Sequence, residues 1–109
     1  MIGLTVNPNR DEVTEDWPFD QQRSCSTITM RQVLEGLEPI LLVSHDADDE
    51  GWQFIGITSA NVDDGRAVCL EEIVRLDPSV VEVADLAPGW QAVRERVGGR
   101  WTRRQRPQT

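Results

Sequence analysis

Chemistry in this chain would have to start from one short cluster. His45, Asp46, Asp48, Asp49 and Glu50 fall within six consecutive positions. Carboxylates at that density are hard oxygen ligands for calcium, and a histidine among them could hold a transition metal. The spacing argues against both. A twelve-residue calcium loop needs a bidentate Glu at its last position, and none stands at that offset. His45 is the sole histidine, so the chain cannot supply a multi-histidine metal centre. Asp, Glu and Gly at these positions are also what a hairpin tip needs in order to turn in water. A solvated turn with no metal is the simpler reading.

Cys25 falls beside an expected helix start, a place where thiols become reactive, and with His45 it makes a nominal Cys/His pair. Nothing in the sequence brings the two together, and a half-buried thiol is commoner. Cys25 and Cys69 lack CxxC spacing, and two reduced thiols fit a cytoplasmic chain. There is no phosphate-binding glycine loop, serine elbow, HExxH or dinucleotide fingerprint. No catalytic set and no cofactor site can be read. Four Trp could stack on a ligand, but there is no Tyr and only two Phe. Trp52 and Trp90, each opening an expected strand, therefore read as core.

The elements that would position these residues follow from periodicity. Ser26 or Thr27 can cap a helix to about Leu37, with Ile28, Val33, Leu34 and Leu37 on one face and Pro39 forbidding continuation. Residues 40–45 and 52–57 read as a hairpin across the acidic turn. Asp64-Gly65 marks a second turn. Residues 70–76 suit a brief helix, with Glu71 and Glu72 in its first turn, ended by Asp77-Pro78. Val80, Val81 and Val83 fit a strand or an irregular turn equally. A third strand follows near residues 90–96. Leu41, Val43, Trp52, Phe54, Ile55, Val33 and Leu34 are the expected core. Trp17-Pro18-Phe19 reads as a plug for an apolar groove. The fold class is α+β: a small antiparallel sheet with two short helices packed on it, one domain over residues 1–100, then a basic, frayed tail over 101–109.

Composition narrows the function classes. With 109 residues, 39% hydrophobic and 28% charged, one folded domain is expected. Eleven Arg and no Lys read as the codon usage of a GC-rich bacterial genome. Residues 1–89 hold eighteen acidic groups and five Arg, whereas residues 90–109 hold six Arg and one Glu. So acidic a body repels phosphate backbones and argues against nucleic acid. It attracts cationic partners instead. Residues 40–43, the longest interior apolar run, are far too short to span a bilayer. Residues 1–6 have neither the basic region nor the apolar stretch of a secretory signal.

Asp49-Glu50-Gly51-Trp52, Gly56, Asp77-Pro78-Ser79, Leu86 and Gly89 together resemble the pattern of the immunity protein 33 family (domain of unknown function 2185) over roughly residues 39–97. Several members are predicted to neutralise toxins, and no catalytic residue set comes with that prediction. The resemblance implies a protein-binding role, which suits an acidic domain facing a basic partner. The binding surface would combine Asp46, Asp48, Asp49, Glu50, Asp63 and Asp64 with Trp17 as its anchor. The alternative is a regulatory or small-ligand protein with a pocket between hairpin and helix. If the acidic turn is only a turn, micromolar calcium or a chelator should leave the melting temperature unchanged. A rise of several degrees with calcium would show specific binding to the folded state.

Overall fold

Three consecutive β-branched residues, Thr27, Ile28 and Thr29, favour an extended backbone. In the computed structural model, which describes residues 17–56 and 62–106, they lie in strand β1, Ser26–Met30. The expected helix from Ser26 is therefore corrected to a strand. Thr27 donates its hydroxyl to the Val68 carbonyl at 3.0 Å, and Thr29 to the Phe54 carbonyl at 2.6 Å. Those neighbours outweigh the weak capping signal. Helix remains only as the single turn α1, Arg31–Leu34, closed by Gly36 at φ 76°.

The expected hairpin forms from β2, Leu42–His45, and β3, Trp52–Ile55, with Val43 opposite Phe54 and His45 opposite Trp52. Strand β4, Gly65–Cys69, runs antiparallel to β1, and β1 in turn lies parallel to β3. Helix α2, Leu70–Leu76, carries Glu71 and Glu72 at its positive end and Arg75 at its negative end. A 3₁₀ helix, Pro78–Val83, accounts for the valines that sequence left open. Strand β5, Trp90–Val93, pairs with β2, and β6, Thr102–Gln105, pairs with β5. The fold is α+β. Among the described residues its sheet is mixed and six-stranded, in the order β4-β1-β3-β2-β5-β6, rather than small and antiparallel.

Strand pairing places Thr27 and Thr29, Trp52 and Phe54, Val43 and His45, and Ala92 on one face, and all are buried. Leu70, Ile73, Val80, Val83, Leu86 and Phe19 join the same apolar cluster. Phe19 meets the Trp52 ring edge-on at 5.2 Å, so the Trp-Pro-Phe segment does fill a groove. Leu34 and Leu41 are only half-buried. Trp90, expected in the core, is 37% exposed because it stands at the start of β5, where the core layer ends. No helix among the described residues is long and apolar enough to cross a membrane.

The basic segment that sequence assigned to a frayed tail is also corrected: it is the outer strand of the sheet through Gln105. Charge explains the docking. Arg103 reaches Asp85 at 2.8 Å and the Glu82 carbonyl at 3.0 Å, and Arg106 pairs with Asp46. The hydrogen bond from Arg103 holds the Asp85 carboxyl below its ordinary value of 3.8.

Arg94 sits just past β5 with its side chain fully buried. Its Nε and Nη2 donate to the Ile40 carbonyl at 3.1 and 3.0 Å. Nη1 donates to Ser79 Oγ at 2.8 Å, and Nη2 also meets Asp77 Oδ2 at 2.6 Å. The Trp101 ring covers the guanidinium at 4.2 Å. Arg94→Met would strand the Asp77 carboxylate and the Ile40 carbonyl, and urea unfolding should show a loss of about 3–5 kcal/mol. Adding Asp77→Asn should recover part of it, because the uncompensated charge is then gone.

Candidate functional site

The hairpin tip is built by its own polar residues. Asp46 N–H donates to the Gly51 carbonyl, and Gly51 N–H donates to Asp49 Oδ1, both at 2.8 Å. Glu50 takes φ 58°, the left-handed region, which an Asx-type turn ahead of a glycine demands. Thus Asp49-Glu50-Gly51-Trp52 has a structural explanation: two turn residues, a glycine and a buried indole. His45 anchors the tip from below. Its ring stacks on Trp52 at 4.1 Å. Nδ1 lies 2.6 Å from the Leu86 carbonyl and Nε2 lies 3.1 Å from the Glu50 carbonyl. Each nitrogen thus faces a backbone carbonyl, and the ring lies between the tip and the loop before β5.

Asp48, Asp49 and Glu50 are exposed on this tip, whereas Asp46 is half-buried between Gln53 and Arg106. The loop before β5 lies alongside: Gly89 N–H donates to the His45 carbonyl at 2.7 Å. Trp90 follows at once, paired in register with His45 and partly open to solvent. Three carboxylates and an indole therefore share one end of the sheet. Sequence reading missed Trp90 as a surface group because an aromatic residue opening a strand looks like core. Pro88-Gly89 was the available signal that the strand begins at a loop.

Trp17, the anchor expected from sequence, is half-buried against the core. Its Nε1 donates to the Gln21 carbonyl at 2.7 Å, Phe19 packs at 5.4 Å, and the Arg23 guanidinium lies 4.6 Å from its ring centre. Those contacts make it a fastening of the 17–23 segment. Asp63 and Asp64 end the 3₁₀ turn before β4, which puts them at the Met30 end of the sheet, since Met30 pairs with Gly65. Asp46, Asp48, Asp49 and Glu50 lie at the opposite end. The two acidic turns do not form one surface.

Cys25 and Cys69 are free, half-buried thiols. Cys25 precedes β1 instead of opening a helix, and its carbonyl accepts from Leu70 N–H, at the start of α2, at 2.8 Å. Among the described residues no three His, Cys, Asp or Glu side chains converge as metal ligands. A cleft of about 380 Å³ runs between Val33, Pro39, Ile40, Leu76, Pro78 and Val97, on the side of the sheet away from the hairpin tip. No family model, curated protein or solved structure matches the chain.

Asp64 accepts from Gln32 Nε2 at 2.9 Å and from Arg31 Nε at 3.5 Å. The Gln32 hydrogen bond, helped by the charges of Arg31 and Arg66 against the cost of burial, holds its carboxyl below the ordinary value of 3.8. A depressed carboxyl stabilises the fold fully above its unfolded value, and the contribution is lost as pH falls through the folded one. Asp64→Asn should therefore lower the melting temperature at pH 7, and the difference should close in acid. A difference that stays constant down to pH 2 would assign the effect to packing.

Proposed function

We propose that this chain is a protein-binding module for a basic partner, working through the hairpin tip. The observation that supports it is the adjacency of exposed Asp48, Asp49 and Glu50 to the partly exposed indole of Trp90. Carboxylates in water speed encounter with a positive surface but add little residence time, because they stay solvated. An indole that loses water on binding supplies the residence time. The tip is also held in one shape by His45 and the Asx turn, which lowers the entropy lost on binding. The resemblance of the tip to the immunity protein 33 family supports a basic toxin as the partner class. The cleft between α1, α2 and Val97 supports a small-ligand reading, but that cleft does not involve the acidic tip.

Surface-immobilised chain, presented with a basic protein captured from its source, tests the reading by kinetics at two salt concentrations. Asp48→Arg with Asp49→Arg should slow association about tenfold at low salt and much less at high salt. Trp90→Ala should leave association nearly unchanged and speed dissociation by tenfold or more, since a central indole contributes about 2 kcal/mol or more. Rates indifferent to salt and to all three substitutions would sink the reading and favour the cleft.

A further inference from the structure

At the far end of the sheet, the turn joining β5 to β6 carries positive charge that is unspent. The turn joining β5 to β6 reads Arg94-Glu95-Arg96-Val97-Gly98-Gly99-Arg100-Trp101. It encloses an open concavity of about 470 Å³ lined by Arg94, Glu95, Arg96, Gly99, Arg100 and Thr102. That volume lies within the range of small-molecule sites. Arg94 is committed to Asp77, Ser79 and the Ile40 carbonyl and forms a fixed wall. Arg96 and Arg100 are different. Both are exposed, and among the described residues neither guanidinium has an ion pair or hydrogen bond.

This is unusual within the same chain. Nineteen acidic residues are available for eleven Arg. Arg31, Arg75, Arg103 and Arg106 have all taken carboxylates, and Arg104 lies against the Gln91 side-chain amide. The turn itself is tightly shaped. Gly98 sits at φ 81°, and Gly99 N–H donates to the Arg96 carbonyl at 2.9 Å. A Cβ at Gly99 would stand 2.9 Å from that oxygen, so glycine is required for the close approach. The result is two uncommitted planar forks set on a constrained turn around one hollow.

We propose that Arg96 and Arg100 form a binding site for a small-molecule oxyanion, a phosphate or carboxylate group held by both guanidiniums. Paired guanidiniums suit such groups because each can donate two parallel hydrogen bonds. Glu95, on the same hollow, opposes a bare anion and would accept from a hydroxyl or ammonium on the same ligand. The site lies at the opposite end of the sheet from the acidic tip and is independent of it.

Titration of the full chain with inorganic phosphate, and separately with acetate, tests this by amide chemical shifts at constant ionic strength. Phosphate or acetate should shift Gly98, Gly99 and Arg100 saturably, and chloride should not. Arg96→Gln with Arg100→Gln should weaken that binding at least tenfold, whereas Glu95→Gln should tighten it and Arg75→Gln should leave it alone. All these positions are exposed, so folding is retained. Shifts that fail to saturate for both anions, that chloride reproduces, or that survive the double substitution would overturn the site.

Discussion

One buried cation organises this fold. The Arg94 guanidinium would be costly inside a protein without full compensation, and each of its nitrogens finds an acceptor. Those acceptors come from two separate stretches of chain: Ile40, two residues before β2, and the start of the 3₁₀ helix, where Asp77 is the cap and Ser79 lies within the first turn. Trp101, from the far side of the β5–β6 turn, closes the stack. Removing any one of these pieces leaves a charge or a carbonyl unsatisfied, so they are held together as a set. Asp77 also accepts from Ser79 N–H at 3.0 Å and Ser79 Oγ at 2.6 Å. Asp77 thus ends α2 through its backbone N–H, and its carboxylate starts the next helix and balances Arg94.

The same economy of charge runs through the C-terminal strand. An acidic body and a basic end would be expected to attract each other loosely; here the attraction is given a register. Backbone pairing of β6 with β5 fixes which Arg meets which acceptor, so Arg103 falls on Asp85 and Arg106 on Asp46. The acidic tip consequently loses Asp46 to an internal pair and keeps Asp48, Asp49 and Glu50 for solvent. The uneven charge in the sequence becomes a molecule with a negative tip at one end of its sheet and Arg96 and Arg100 at the other.

Local signals in the sequence carried far, and long-range ones did not. The hairpin was legible because alternation, β-branched residues and an Asp-rich turn agree within eighteen positions, 40–57. Helix α2 was legible from its acidic first turn and Asp77-Pro78. β1 was misread because Ser26 and Thr27 look like caps, while the partners that make them extended lie in Phe54 and Val68, far along the chain. β6 was missed for the same reason: Thr-Arg-Arg-Gln has no apolar face of its own and becomes a strand only against β5. At the tip, the carboxylates could be read directly. Choosing Trp90 over Trp17 could not, because the choice depends on which indole the core covers. Arg94 looks like any other Arg in the sequence, since burial is decided by the surrounding fold.

Strand β6 also guards the protein against itself. An outermost strand presents unpaired N–H and C=O groups that can recruit another chain, and positive side chains on that strand discourage this. Arg103 and Arg104 put two of them in four residues. A protease that trimmed the chain near Arg100 would uncover β5, with Trp90, Ala92 and Val93 on a bare backbone ladder. The trimmed molecule would keep its hairpin and lose its Trp101 lid. It would then have both a sticky margin and a weakened buried cation, a combination that favours aggregation over recovery.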